Sequence, residues 1–278
     1  MYLLFDIGGT NTRISFSKDG KNIGEPFIFK TPQNFEDGMN AIADAVNHLG
    51  VMGKFKVAGG GVPGVFDKTL GTLLSSPNLT EWVGKPLRDK LIELLGALVF
   101  IENDAAMVGL GEAVCGAGRG FSIVEYLTVS TGVGGARIVD GKLDKRSVGF
   151  EPGQEFFSVG SVENGMQEKI TLEQTISGTA VEKRFGKKPK EVSDPEVWED
   201  LALKLAYGLY NTIVLWSPDV VVLGGSMING NPAIPVDRVE FHLKNILKIF
   251  PQSPVIKKSE LGDVGGLWGA LEFLKSKS

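Results

Sequence analysis

Three polar side chains, Glu102-Asn103-Asp104, close an apolar run, Val99-Phe100-Ile101, and small residues from Ala105 onward then open a helix. The run reads as a buried strand. A carboxylate at a strand exit, facing a helix start, is where α/β proteins usually place reacting groups. Asp104 is therefore a candidate reacting group, and equally a candidate N-cap for the helix. A second set of residues suits phosphate. Asp6-Ile7-Gly8-Gly9-Thr10-Asn11-Thr12-Arg13 separates Leu3-Leu4-Phe5 from Ile14-Ser15-Phe16 and reads as a hairpin with a polar turn. Two adjacent glycines expose backbone N–H groups, and Thr10 and Asn11 add short side-chain donors, so the turn can wrap phosphate oxygens. It can also be a plain hairpin turn. No Gly-Lys-Ser/Thr follows, which excludes a Walker loop.

Other glycine runs sit beside strands in the same way. Thr131-Gly132-Val133-Gly134-Gly135 repeats the first layout: at an offset of 124, Gly132 matches Gly8, Arg137 matches Arg13 and Ile138 matches Ile14. Gly59-Gly60-Gly61-Val62-Pro63-Gly64-Val65-Phe66-Asp67 follows a short strand and is too glycine-rich for a regular element, so it is a candidate ligand loop. Gly224-Gly225-Ser226 ends the strand Asp219–Leu223, where a nucleotide could lie.

These residues need elements to hold them. Asn34 caps a helix whose apolar positions, Phe35, Met39, Ile42, Val46 and Leu49, recur every three or four residues. Pro86 starts and Gly96 ends another. Ser193-Asp194-Pro195-Glu196 forms a capping box before a long helix with Trp198, Leu201, Leu205, Leu209, Thr212, Ile213 and Trp216 on one face. Gly160 and Gly165 predict an irregular stretch. Gly265-Gly266 begins a last amphipathic helix carrying Leu267, Trp268, Leu271 and Leu274. The plan is mixed α/β in two related lobes.

Composition narrows the function. The 278 residues carry a formal charge of −4, with 42% hydrophobic and 22% charged residues. No basic footprint marks nucleic acid or an anionic membrane as a partner, and no apolar run approaches a membrane span. Met1-Tyr2-Leu3-Leu4-Phe5-Asp6 reads as a strand and not a signal peptide. The single cysteine, Cys115, excludes an internal disulfide and a cysteine-built zinc site, and its apolar helical setting predicts an inert core thiol. A cytoplasmic protein is expected.

Taken in order, the motifs resemble those of the ROK (repressor, ORF, kinase) family of sugar kinases in the actin-like ATPase superfamily. They are Asp6-Ile7-Gly8-Gly9-Thr10…Arg13, Gly61-Val62-Pro63-Gly64, Ser76-Pro77-Asn78-Leu79, Glu102-Asn103-Asp104-Ala105, Thr131-Gly132-Val133-Gly134-Gly135 and Leu172-Glu173…Ser177-Gly178-Thr179-Ala180. The resemblance implies a two-lobed, ribonuclease H-like α/β fold with duplicated lobes and a cleft between them. The small lobe would be residues 1–104 plus 265–278, and the large lobe 105–264. It implies ATP-dependent phosphorylation of a hexose, glucose foremost. Fructose, mannose or an N-acetylated amino sugar are alternative acceptors, polyphosphate is an alternative donor, and a non-catalytic sugar-sensing regulator is an alternative function. Family repressors carry a DNA-binding helix-turn-helix before the first glycine hairpin; with Asp6 so near the start of the sequence, none is expected here.

The resemblance also assigns residues. Asp104 would be the general base, and Asn78, Asn103, Glu151 and Glu173 would hold the other sugar hydroxyls. Gly8, Gly9, Thr10, Asn11 and Arg13, with Thr131, Gly132 and Gly134, would hold the ATP phosphates. Asp6 would lie near Mg2+, and Gly224 and Gly225 beside the adenosine. Many relatives carry a Glu-x-Gly-His turn and a cysteine-rich zinc knuckle. Here the turn is Glu151-Pro152-Gly153-Gln154, and residues 155–171 contain no cysteine or histidine. No structural zinc is expected, and Gln154 would meet a sugar hydroxyl instead. A homodimer is expected, supported by the apolar C-terminal helices.

Overall fold

The computed structural model describes residues 1–67, 71–163 and 166–277. It begins with β1 (Tyr2–Ile7), β2 (Asn11–Ser17), β3 (Phe27–Lys30), α1 (Phe35–His48), β4 (Val57–Val62), β5 (Val65–Phe66), β6 (Leu73–Ser75), α2 (Leu87–Leu95), β7 (Leu98–Asn103) and α3 (Asp104–Val114). Then come β8 (Ile123–Val129), β9 (Val133–Val139), β10 (Lys142–Leu143), β11 (Phe156–Glu163), β12 (Met166–Thr171), α4 (Glu173–Ile176), α5 (Gly178–Phe185), α6 (Pro195–Trp216), β13 (Val220–Gly224), α7 (Ser226–Asn229), α8 (Val236–Ile246), β14 (Val255–Lys258) and α9 (Gly265–Lys275). Contacts divide the chain into two compact units, Met1–Gly116 with Gly141–Gly149 and Leu261–Ser278, and Ala117–Asp140 with Phe150–Glu260. The division differs from the boundary expected at 104: the first unit keeps α3, because α3 packs on α9. Among the described residues no helix is long and apolar enough to cross a membrane.

In the first unit the strand order is β3-β2-β1-β4-β7. β1 and β2 form the expected antiparallel hairpin, and β4 and β7 continue the sheet in parallel. Asn34 caps α1, its Oδ1 accepting from the N–H groups of Glu36 and Asp37 at 3.0 and 3.2 Å. Phe35, Met39, Ile42 and Val46 are buried as the spacing predicts. Gly96 ends α2 with φ +60°. The glycine run is a correction: Gly59, Gly60 and Gly61 lie inside β4, between β1 and β7, and do not form a loop. A strand this poor in side chains survives because its neighbours fill the space. A Cβ at Gly59 would lie 2.7 Å from Leu274 Cδ2, and one at Gly61 2.8 Å from the Cα of Asp104.

The second unit repeats this topology. β8 and β9 are antiparallel, and β13 and β14 extend from β8 in parallel. The repeat is not the residue-for-residue match of the 124 offset. The pairs nearest the turn are Ile7–Thr12 in one hairpin and Val129–Val133 in the other, so the second turn is shorter. Gly8 opens its turn, whereas Gly132 closes its own. The cap of α6 is Asp194, whose Oδ1 accepts from Glu196 N–H at 2.9 Å; Ser193 precedes the cap. The stretch expected to be irregular pairs as β11 with β12, with register shifts between Phe156 and Ser158 and between Val159 and Val162, and Gly165 lies outside the described residues.

The last helix is held by glycine. Leu267, Leu271 and Leu274 are fully buried in the first unit. A Cβ at Gly269 would overlap the Met107 carbonyl, and one at Gly111 the Gly265 carbonyl. Cys115 follows α3 as its cap and is half-buried, not a core thiol. Gly269→Ala meets backbone that no rotamer change moves. It is expected to lower unfolding free energy by ~1–3 kcal/mol, the usual cost of overpacking, read as a drop in the urea midpoint.

Candidate functional site

In the first unit the candidate residues gather where β1, β7, α3 and α9 meet. Asn103 ends β7 in an extended conformation, and Asp104 is the first residue of α3. Asn103, not Asp104, is the helix cap: its Oδ1 accepts from Ala106 N–H at 3.1 Å. Its Nδ2 donates to the Gly64 carbonyl at 3.2 Å. The Asn103 amide is thus largely engaged within the protein, while capping by Asn103 frees Asp104 from that duty. Asp104 Oδ1 accepts from the adjacent Ala105 N–H, at 2.9 Å. Burial pushes the Asp104 carboxyl above its ordinary value.

Asp6 lies nearby on β1. Burial first, and then the charge of Asp104, push it up to about 7, against the lowering effect of Arg13. Arg13 pairs with Asp6 across the hairpin. Its Nη1 is 3.7 Å from Asp6 Oδ2, and its Nη2 is 3.2 Å from Asp263 Oδ1. The structure therefore shows Arg13 as a counter-ion to carboxylates. The start of α9 presses on Asp6 from the other side, since a Cβ at Gly266 would lie 2.7 Å from Asp6 Cγ. Three carboxyls, Asp6, Asp104 and Asp263, against one nearby guanidinium leave the cluster short of positive charge. Among the described residues no three His, Cys, Asp or Glu side chains form a metal cage. Asp6 suits a hard divalent cation completed by phosphate oxygens and water, as Mg2+ sites usually are.

The β1–β2 turn is braced from behind. Gly8 N–H donates to the Asn11 carbonyl at 2.9 Å, and Thr31 Oγ1 donates to the Gly8 carbonyl at 2.7 Å. The Gly8 N–H is thus not free for phosphate; Gly9 and Thr10 are the remaining donors of the turn. Asn78, exposed after Pro77, packs directly on Gly9.

In the second unit the β8–β9 turn is the centre. Ser130 Oγ accepts from Ser226 N–H at 3.0 Å, and the Ser130 carbonyl accepts from Gly178 N–H at 2.7 Å. Thr179 Oγ1 donates to the Thr131 carbonyl at 2.7 Å. Gly225, at φ +91°, lies against Ser130, where a Cβ would fall 2.7 Å from Oγ. Thr131, Gly132, Gly224 and Gly225 are thereby brought together. Gly134 sits inside β9 opposite Thr128, away from the turn. Glu173 opens α4, and its Oε2 accepts from Val133 N–H at 2.8 Å. Gln154 Nε2 donates to Glu173 Oε1 at 3.3 Å. Glu151 is exposed just before them. Backbone N–H groups at the turn suit phosphate oxygens, and the carboxylates and amide of Glu151, Glu173 and Gln154 suit polyol hydroxyls. Ser130, Thr179 and Gly266 are contacts that sequence reasoning did not single out, although Thr179 lies in a recognised motif.

A model of the ROK family matches residues 2–277. The chain belongs to the ROK family. It is 26% identical to a glucokinase of Thermotoga maritima, over 98% of this chain and 96% of that protein. It is 28% identical to an N-acetyl-D-glucosamine kinase of Escherichia coli, over 97% and 98%. The ROK hexokinase structure from Thermus thermophilus matches with a TM-score of 0.79 at 27% identity, covering 99% of each chain. This ROK chain accordingly has the actin-like ATPase fold.

The second unit also carries a buried acid, Glu125, and a half-buried one, Glu155. Glu125 on β8 is fully buried, its Oε1 accepts from Thr212 Oγ1 at 2.5 Å, and its Oε2 has no hydrogen-bond partner. Burial pushes it up to about 8, and Glu155 up to about 7. Folded carboxyls raised this far hold protons that the unfolded chain releases at 4.5. The contribution of these two carboxyls to stability is therefore fully present below that value and lost as pH rises towards 8. Glu125→Gln keeps the Thr212 acceptor and cannot ionise. Thermal unfolding from pH 5 to 8.5 should show a shallower decline, with the variant more stable than the wild type at pH 8.

Proposed function

We propose that this ROK protein is an ATP-dependent sugar kinase acting on a hexose, glucose first, with Asp104 as the general base. The observation that carries the reading is the Asp104 carboxyl at the β7 exit, raised by burial and released from capping by Asn103. A base with a raised pKa, within hydrogen-bond reach of an alcohol, is suited to take its proton as it attacks phosphorus. The sugar oxygen bonds to the γ-phosphorus of ATP, the bond to the β–γ bridging oxygen breaks, and ADP leaves with that electron pair. The proton lost by the hydroxyl passes to Asp104. Such a reaction asks mainly for positioning and charge neutralisation.

The remaining roles follow from local chemistry. Asp6 would hold Mg2+, which when bound offsets phosphate charge. Gly9, Thr10 and Asn11 in the first unit, and Thr131 and Gly132 in the second, are assigned to phosphate oxygens. Gly224 and Gly225 are assigned to the nucleoside. Asn78 and Asn103 in the first unit, and Glu151, Gln154 and Glu173 in the second, are assigned to sugar hydroxyls. Gln154 has an amide in place of an imidazole, which favours hydroxyl recognition over zinc. The N-acetyl-D-glucosamine kinase among the relatives favours one second reading, an N-acetylated amino sugar as acceptor.

A coupled assay across glucose, mannose, fructose and N-acetylated amino sugars, run with ATP and polyphosphate in parallel, tests this. Sugar-dependent ADP release is expected, highest with glucose, from protein whose metal analysis shows no stoichiometric zinc. Absence of turnover with every sugar contradicts the kinase reading, and one zinc per chain contradicts the assignment of Gln154.

A further inference from the structure

The chain leaves the second unit at Gly141, runs through the first unit as far as Gly149, and then returns. This nine-residue strap joins β9, which follows the second glycine turn, to the Glu151 turn. It carries one guanidinium inward. Arg146 Nη2 forms an ion pair with Glu102 Oε2, and the side chains are only 16% and 9% exposed. Arg146 Nη1 donates to the Asp144 carbonyl at 3.0 Å, so the strap orients its own arginine.

Glu102 holds the residue that aims Asp104. Its second oxygen, Oε1, accepts from Asn103 N–H at 2.9 Å. That fixes the backbone where β7 turns into α3, while the Asn103 side chain ties the same point to Ala106 and Gly64. A fork from Arg146 thus pins a carboxylate, the carboxylate pins the Asn103 amide, and the next residue is Asp104. Removing the arginine would leave Glu102 buried without its counter-ion, free to rotate away from Asn103 or to draw water in. Neither Arg146 nor Glu102 is assigned to ligand in the proposed function.

We propose that Arg146 is a positioning residue for phosphoryl transfer, acting through Glu102 on the placement of Asp104. The inference rests on the kinase reading. A guanidinium is required because two bonds must be made at once, to the strap and to the carboxylate, and an ammonium does not supply that fork geometry.

The test measures kcat and sugar KM for the wild type, Arg146→Lys, Arg146→Met, and the double variant Glu102→Gln/Arg146→Met, with thermal unfolding of each. Arg146→Met is expected to lose kcat at least about tenfold, with sugar KM changed less than about threefold, because proton transfer is more sensitive to placement than binding is. Arg146→Lys should fall between. The double variant, in which no charge is left buried alone, should recover most of the lost kcat, a coupling that a merely structural role would not produce. If Arg146→Met does not fold, Arg146→Lys carries the test, with a kcat loss of about threefold or more. Wild-type kcat in the single variants, or a double variant no better than Arg146→Met, overturns the role of Arg146 alone. A wild-type protein with no turnover overturns the kinase reading and this inference with it.

Discussion

The most crowded point of the first unit is built from surfaces that carry no side chain. Gly60 faces the Phe5 backbone, Gly61 the Cα of Asp104, Gly266 the carboxyl of Asp6, and Gly269 the carbonyl of Met107. Glycines at these positions of β4 and α9 let β1, β4, α3 and α9 approach more closely than ordinary side chains permit. The carboxyls of Asp6 and Asp104 are thereby brought into one poorly solvated neighbourhood. Their raised pKa values follow from this packing: burial acts first, and at Asp6 the charge of Asp104 adds to it. A site of this kind attracts a cation and a proton, which are the two things phosphoryl transfer to an alcohol must manage.

The second unit uses the same topology for another purpose. In both hairpins an acid faces an arginine across the strands, Asp6 with Arg13 and Glu125 with Arg137. In the first, the two form an ion pair beside the candidate site. In the second, Arg137 Nε donates to the Trp216 carbonyl, and Glu125 turns inward to Thr212. The turn is supported instead by Glu173, whose carboxylate takes the Val133 N–H and the Gln154 amide together. The two turns also differ in what remains to bind a ligand. The first uses the Gly8 N–H internally, while the second spends Ser130 on contacts to Gly178 and Ser226.

Much of this was legible in the sequence, because periodicity and punctuation report local structure. The caps at Asn34 and Gly96, the buried face of α6 and the two glycine hairpins follow from residue types alone. The Gly59–Gly61 run was not legible. Glycine signals a loop locally, and only tertiary contact with Phe5, Leu274 and Asp104 turns it into a central strand. The shift of the cap from Asp104 to Asn103 is one residue, which propensity cannot resolve because both residues cap well. Arg146 carries no sequence signal at all: its partner Glu102 lies 44 positions earlier, and their pairing exists only once the strap folds onto the first unit.

The central claim is that Asp104 acts on the reacting hydroxyl and does not merely hold the helix. Asp104→Asn preserves size and hydrogen-bonding capacity while removing the base. Calorimetric binding of glucose should be within a few-fold of wild type, while kcat falls by roughly 10²–10⁴, the range for loss of a general base. An Asp104→Asn protein that binds glucose and turns over at the wild-type rate would contradict the account.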